Sequence, residues 1–506
     1  MSLPRYLSVP VALGNAAGTL TRVRSWCNNR NMSTWDPPTR GRGSADPGPR
    51  TSTGALPKAK PSVNPGATVK IDSHIPRSRT QYSTDLTDQE PTDGRARRHA
   101  APTPTLRQFL PRRPSALITL GVALVIWIGA LWTGLTFGAS AAASDGEPAE
   151  VIVATWMRDN NMGWIVARLE DVYYTYIDTA QVGGTPTISA DLTSEDTAGL
   201  DEPAVVAAEP EPEASAAIDH LQPPDPIVSP VDTPEPKEGE WQPVGSRVAG
   251  IPAIYVTRVR ADDVHTSYYA SAMWIDTKLA KSMFVPGYQE PGGPNPFNGA
   301  LPEALWPQVL ANVNGGFRLA DSMGGYYYDG EMVKPLVKGK ATALFTKDGK
   351  LRIGKWGRDF DMTDDVLAAR QNLDLIVDKG ESMVKNANDN VVWGATTDKE
   401  SLAWRAAIGE REDGSLVYVG SPYLSAEGLA NTLVGAGVQR AMVLDMNNWW
   451  TAGFFFRHKA DGTPLCRKLD PAIQEGCDRF LKPYKRDSFH FLAADGLPIG
   501  NAAASQ

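Results

Sequence analysis

Apolar residues run without a charge or a proline over Ala116–Gly138, ALITLGVALVIWIGALWTGLTFG. That length crosses the ~30 Å hydrocarbon core as a helix, which satisfies its own backbone groups in lipid. A transmembrane helix is therefore expected over 115–138, with Trp132 and Phe137 toward the end where aromatic belts sit. Beyond it the period changes. Met162, Ile165, Leu169, Val172, Tyr173 and Tyr176 recur at helical spacing, with Arg168, Glu170 and Asp171 off that stripe. One amphipathic helix is expected within 151–180, either packed on the later domain or acting as a docking stalk.

From about Trp241 short strand patterns take over. Ile254–Arg260 and Tyr268–Ile275 alternate as strands do. Leu301–Leu310 has the look of a helix feeding Val313. Ala341–Thr346 and Leu351–Lys355 flank Asp348-Gly349, and Trp404–Glu410 and Leu416–Gly420 flank Asp413-Gly414, so two hairpins are expected. Ser425–Gly435 has helical spacing, and Ala441–Leu444 is a short buried-strand run ending in Asp445. The expected fold class is α+β, a mixed sheet with flanking helices over 243–495.

Composition divides the rest. The chain has 506 residues, 40 of them proline and 46 glycine, and a net charge of −8. Residues 1–114 are basic, rich in Pro, Ser, Thr, Arg and Gly, and without period, so they are expected to be disordered. Residues 183–242 form a proline-rich acidic linker, expected to be an extended spacer that holds the distal domain off the membrane. Because basic and acidic stretches are segregated, the total charge implies no nucleic-acid partner. Arg107, Arg112 and Arg113 precede the apolar run, whereas Asp145, Glu147 and Glu150 follow it. That asymmetry puts the N-terminus in the cytoplasm and the distal domain outside a single-pass plasma-membrane anchor. Ala139-Ser140-Ala141 resembles a cleavage site, but a signal core is shorter and does not lie this deep in a chain. The basic flank either rests on anionic membrane lipid or only sets topology.

The 3 cysteines matter by position. Cys27 stands alone, while Cys466 and Cys477 lie in the distal part, where an oxidising compartment favours a bridge between them. The 6 histidines are scattered without ligand spacing, so no metal site is expected, and no cofactor is indicated. Three places can carry chemistry. In Asn314-Gly315-Gly316-Phe317-Arg318 two glycines allow close backbone approach and Asn314 offers donor and acceptor, or the segment is a capped tight turn. Arg405 lies in an apolar run, where it forks onto an anion or faces solvent. Asp445 ends a buried strand, as a ligand group or as the cap of the next turn.

Asn314–Phe317, then Arg405-Ala406-Ala407-Ile408-Gly409, then a helix and the strand ending at Asp445, resemble the phosphodiester glycosidase family in that order. The first matches its NGGF-type motif, and the second its R-[ST]-A-I-G strand with Ala in place of the hydroxyl residue. The likeness covers roughly 250–490. It departs after Asp445, where the family continues D-G-G-G-S and this chain has Met446-Asn447-Asn448-Trp449. The resemblance implies an envelope-anchored hydrolase acting on a sugar phosphodiester. Asp445 is then the general acid/base or a stabiliser of sugar charge, Arg405 neutralises phosphate, and Asn314 orients substrate. Gly315, Gly316, Arg318, Asn447, Asn448 and Trp449 line the carbohydrate or sugar-phosphate cleft. The alternative is a catalytically silent glycan-binding protein using that cleft, and a third reading is a scaffold assembled through the membrane helix.

Overall fold

The computed structural model describes residues 114–144, 146–176, 180–192, 218–385, 392–393 and 402–501. The basic segment expected to be disordered, 1–114, lies outside the described residues except for Pro114, as do 193–217 of the linker. Helix α1 spans Pro114–Ala142, and within it Ile118–Ala142 is long and apolar enough to cross a membrane. Its large apolar side chains, among them Leu124, Ile126 and Trp127, stand exposed.

In place of one continuous amphipathic helix, the chain forms two, α2 (Ala149–Asp159) and α3 (Gly163–Tyr176). The break falls at Asn161, whose positive φ of 61° no helix interior accepts. Trp156 ties α2 to α1: its Nε1 donates to Thr136 Oγ1 at 3.0 Å and its ring meets Phe137 edge-on.

The rest is built on three sheets of antiparallel ladders. The largest runs β12 (Glu381–Ser382), β11 (Leu375–Asp378), β15 (Val438–Val443), β13 (Ala403–Arg411), β14 (Leu416–Leu424), β3 (Tyr269–Ile275), β2 (Ile251–Arg260), β1 (Gln242–Val248), β19 (Ile499–Asn501). A second runs β7 (Glu331–Lys334), β6 (Tyr326–Tyr328), β10 (Val366–Gln371), β8 (Ala341–Thr346), β9 (Leu351–Lys355). The third runs β17 (Pro464–Lys468), β16 (Gly453–His458), β5 (Val309–Asn314), β18 (Ser488–Ala493), β4 (Ala280–Val285). The fold is α+β. Of the expected helix at Leu301–Leu310 only a 3-10 turn, Glu303–Gln308, forms, and Pro307 inside it stops an α-helix.

The main core lies between one face of the large sheet and both smaller sheets, joining Ile254, Ile408 and Tyr418 to Phe345, Phe454 and Phe489. Period-two alternation sends Val417, Val419 and Ala407 to the opposite face, where Leu429, Ala430 and Leu433 of α4 (Ala426–Gly435) cover them. Covered on both faces, β13 and β14 read as nearly continuous apolar runs. Each buried Leu or Phe there contributes about 1.5–3 kcal/mol. Helix α4 starts where Ser425 Oγ accepts from Gly428 N at 2.9 Å.

The linker does not stand free where it is described. Ile227 is buried against α4's side of the large sheet, with Leu221 packed beside it, and Leu192 joins the main core. Apolar residues set between its prolines give these described stretches a surface to bury, and there the chain packs on the domain.

Candidate functional site

Asp445 follows β15 after Leu444, and its position is set by the end of β5. Its backbone N donates to Gly315 O at 2.9 Å, and its carbonyl accepts from Asn314 Nδ2 at 3.1 Å. Asn314 is 4% exposed, and its side chain is fully committed inside the protein. It also donates to Gly315 O, while its Oδ1 accepts from Tyr418 Oη at 2.8 Å and Ala452 N at 3.1 Å. Asn314 therefore knots three strands and fixes Asp445.

The segment leading into β18 supplies three successive charges. Lys485 pairs with Glu147, just before α2, and both side chains are under a tenth exposed. Arg486 Nη1 lies 3.3 Å from Asp445 Oδ2 and its guanidinium sits over the Trp450 ring. Asp487 pairs with Arg370 at 3.0 Å, both side chains fully buried. Arg370 Nη2 also donates to Phe317 O, holding the turn after Gly316. Gly315 is required here: a Cβ would lie 2.5 Å from the Asp487 carboxylate.

Asp445 is buried at the floor of a cleft of about 600 Å³ lined by residues that include Arg158, Glu170, Phe317, Arg318, Asp321, Lys340, Asp374, Trp450 and Arg486. Burial pushes its carboxyl up to about 6, with Arg486 pulling it down and Asp487 pushing it up. Met446 N donates to its Oδ1 at 3.0 Å. Its Oδ2 and Arg486 Nη1 have no hydrogen-bond partner among the described residues. Three other cations of the cleft each hold a carboxylate: Arg158 with Glu170, Arg318 with Asp321 and Asp159, and Lys340 with Asp374. Arg486 Nη1 and Asp445 Oδ2 meet each other as an ion pair at 3.3 Å but make no hydrogen bond, so their hydrogen-bonding capacity is where a ligand has polar groups to meet.

Of the residues expected to act, Asp445, Arg318 and Asn447 line this cleft, and Asn314, Gly315 and Gly316 line a small recess adjoining it. Arg405, Asn448 and Trp449 are not among the described residues that line either. Arg405 is fully buried and donates to Leu424 O and Trp393 O, each at 2.9 Å, beneath the cleft wall instead of at it. The cation beside Asp445 is Arg486. Trp449 turns toward Arg479, whose Nη2 donates to its carbonyl at 2.7 Å. Asn447 adopts φ 114°, a conformation that favours glycine, and its Oδ1 accepts from Trp449 N and Trp450 N. Cys466 and Cys477 are disulfide-bonded. Among the described residues no cluster of three or more His, Cys, Asp or Glu is arranged to hold a metal ion.

The family model of the phosphodiester glycosidase domain matches residues 307–445, from the entry to β5 through Asp445. Over residues 307–445 the chain is similar to phosphodiester glycosidase domains. The match takes in Asn314, Arg405 and Asp445 and stops short of Arg486 and Asp487. No curated protein sequence matches the chain significantly. Among solved structures, this chain is similar to the catalytic domain of zebrafish N-acetylglucosamine-1-phosphodiester α-N-acetylglucosaminidase, at 16% identity and a TM-score of 0.32, covering 52% of this chain and 88% of that one. A hypothetical protein from Synechocystis aligns at 10% identity and a TM-score of 0.30, over 52% of this chain and 64% of that one. A putative exported protein from Burkholderia pseudomallei aligns at 12% identity and a TM-score of 0.24, over 44% and 74%. A phosphodiester glycosidase domain implies a carbohydrate or sugar-phosphate substrate.

Proposed function

We propose that the protein is a membrane-anchored hydrolase whose phosphodiester glycosidase domain acts outside the cytoplasm on a sugar phosphodiester of an envelope or exported polysaccharide. The observation that carries this reading is the Asp445–Arg486 ion pair at the cleft, whose Oδ2 and Nη1 make no hydrogen bond. A phosphodiester carries the negative charge that Arg486 can fork onto, and the neighbouring sugar brings its anomeric carbon to Asp445. Ionised, Asp445 accepts a proton from the attacking water while the phosphate departs with the electrons of the broken C1–O bond. Arg318 and Asn447 shape the wall, and Gly315 and Gly316 seat the Arg370–Asp487 pair behind it.

The arginine asymmetry about α1 supports an outward-facing domain, and so does a disulfide, which persists in oxidising compartments. Protease added to intact cells should remove the domain and spare residues before α1. A full-length protected chain would reverse the orientation.

One feature favours the silent-binder alternative: Met446-Asn447-Asn448 stands where the family has glycines. The full chain in detergent, assayed against sugar 1-phosphodiesters, separates the two. Turnover that falls at least ~100-fold in Asp445→Asn supports the hydrolase. Saturable binding without turnover in any form supports the binder.

A further inference from the structure

One wall of the cleft is the α2–α3 hairpin, through Arg158, Gly163, Ala167 and Glu170, and α2 packs on the membrane helix. About twenty apolar residues cross the hydrocarbon core, and counted from Ile118 such a span ends near Thr136 and Phe137, the residues Trp156 touches. Tryptophan belongs at that boundary. Arg158, a cleft residue, follows Trp156 by two positions on α2, about 3 Å along the axis. The pairs Lys485–Glu147 and Arg318–Asp159 bind this hairpin to the segments that carry Arg486 and the NGGF turn. The hairpin that walls the cleft is therefore fastened to α1 near the end of such a span.

Its surroundings suit a lipid neighbour. Trp164 and Leu169 on α3 are 70% and 59% exposed, and Met323, on the cleft wall, is 66% exposed. Isolated exposed apolar residues are ordinary. Here Trp164 and Leu169 stand on the hairpin that walls a largely apolar, cation-bearing cleft and is fastened to the membrane helix, and Met323 stands on the cleft's other wall.

We propose that the substrate is a sugar 1-phosphodiester whose second ester is a membrane lipid, with sugar and phosphate in the cleft and the chain across Trp164, Leu169 and Met323. This rests on the sugar-phosphodiester reading above and names its substrate class. Water adds at C1 and the C1–O bond breaks with its electron pair going to the phosphate oxygen. The products are a free sugar and a lipid phosphate monoester, and the proton passes through Asp445 to solvent.

The test uses the full chain in phosphatidylglycerol/phosphatidylethanolamine vesicles. Hexose and N-acetylhexosamine 1-phosphates are offered as prenyl esters and as methyl esters, along with uncleavable phosphonate analogues of both. Prenyl esters should be the better substrates, and Trp164→Ser/Leu169→Ser should lower their kcat/KM at least about tenfold, the scale of two lost apolar contacts. Hydrolysis of the methyl esters should be unchanged, which also shows the variant folded. Equal rates on the two esters, or a prenyl preference that survives the double substitution, would overturn the proposal. If no ester is cleaved, the hydrolase reading fails alone. The phosphonates then decide the lipid question: tighter retention of the prenyl analogue, lost in the double variant, upholds it, and equal retention refutes it.

Discussion

Asp445 Oδ2 lies 3.3 Å from Arg486 Nη1, and both side chains are only 11% exposed. The two come from the end of β15 and the approach to β18, yet each is the other's nearest opposite charge at the cleft floor. A carboxylate in so dry a place is held up near 6 by burial, and Arg486 is the main influence drawing it down.

If Asp445 works ionised, activity should fall as pH drops through about 6. Arg486→Gln removes the lowering influence, so that acidic limb should move to higher pH, with a higher KM for a phosphodiester. A pH–rate profile of kcat on wild type and variant measures both. An unmoved limb would separate Arg486 from the titration.

Asp445→Asn should change stability as well as rate. A carboxyl raised from 3.8 to about 6 favours the folded state when protonated, and that advantage is lost as pH rises through about 6. The shift corresponds to about 3 kcal/mol. At neutral pH the Asn variant should therefore be the more stable, and the difference should close as pH falls below the unfolded value. Denaturant unfolding at pH 7.5 and at acidic pH gives both differences, and a variant less stable at neutral pH would contradict the sign.

Arg405 makes a contrasting case. Its guanidinium donates to Leu424 O and Trp393 O deep beneath the sheet face. Lysine cannot span two carbonyls, and an unmet buried acceptor costs about 1–3 kcal/mol. Arg405→Lys should lower stability by that order and leave KM near the wild-type value, whereas Arg486→Lys should do the reverse. Chemical denaturation beside steady-state kinetics distinguishes a buried brace from a ligand group.

Much of this architecture is legible in local pattern. Apolar runs mark α1, β13 and β15, Asp-Gly turns mark the β8–β9 and β13–β14 hairpins, and Ser425 marks the start of α4. Asp445 is legible because an acid ends a buried run. Arg486 and Asp487 are not, because Lys485-Arg486-Asp487 looks like any solvated charge cluster until the chain brings it against Glu147, Asp445 and Arg370. For Arg405 the apolar run signals burial, but the register shift between Ala403 and Arg405 decides where the side chain goes. The packing of the linker's described part after 218 escapes notice because proline and acid content describe its backbone, while Leu221 and Ile227 decide where it rests.

The Cys466–Cys477 bridge closes a loop of 11 residues between β17 and the segment before Arg479. In the chain-entropy account it contributes about 3 kcal/mol. Cys466→Ser should lower the unfolding free energy by about that much and leave kcat/KM intact, since neither cysteine lines the cleft. Unfolding with and without reductant should give matching losses in wild type.

Gly315 is where the fold and the site meet most tightly. Its N–H donates to Asp487 O at 2.9 Å, its carbonyl accepts from Asp445 N at 2.9 Å, and its α-carbon faces the Asp487 carboxylate. A Cβ there would stand 2.5 Å from that carboxylate and 2.7 Å from the Asp487 carbonyl. Neither can yield easily, because Arg370 grips the first and the ladder into β18 holds the second. Gly315→Ala should therefore cost about 1–3 kcal/mol as an overpacked site does. The displacement also moves Arg486 relative to Asp445, so the acidic limb of the pH–rate profile should shift along with the stability. Thermal unfolding and the kcat profile of the one variant read both effects. Lost stability with an unchanged profile would mean that the glycine serves packing alone and that Asp487 does not set the chemistry of Asp445.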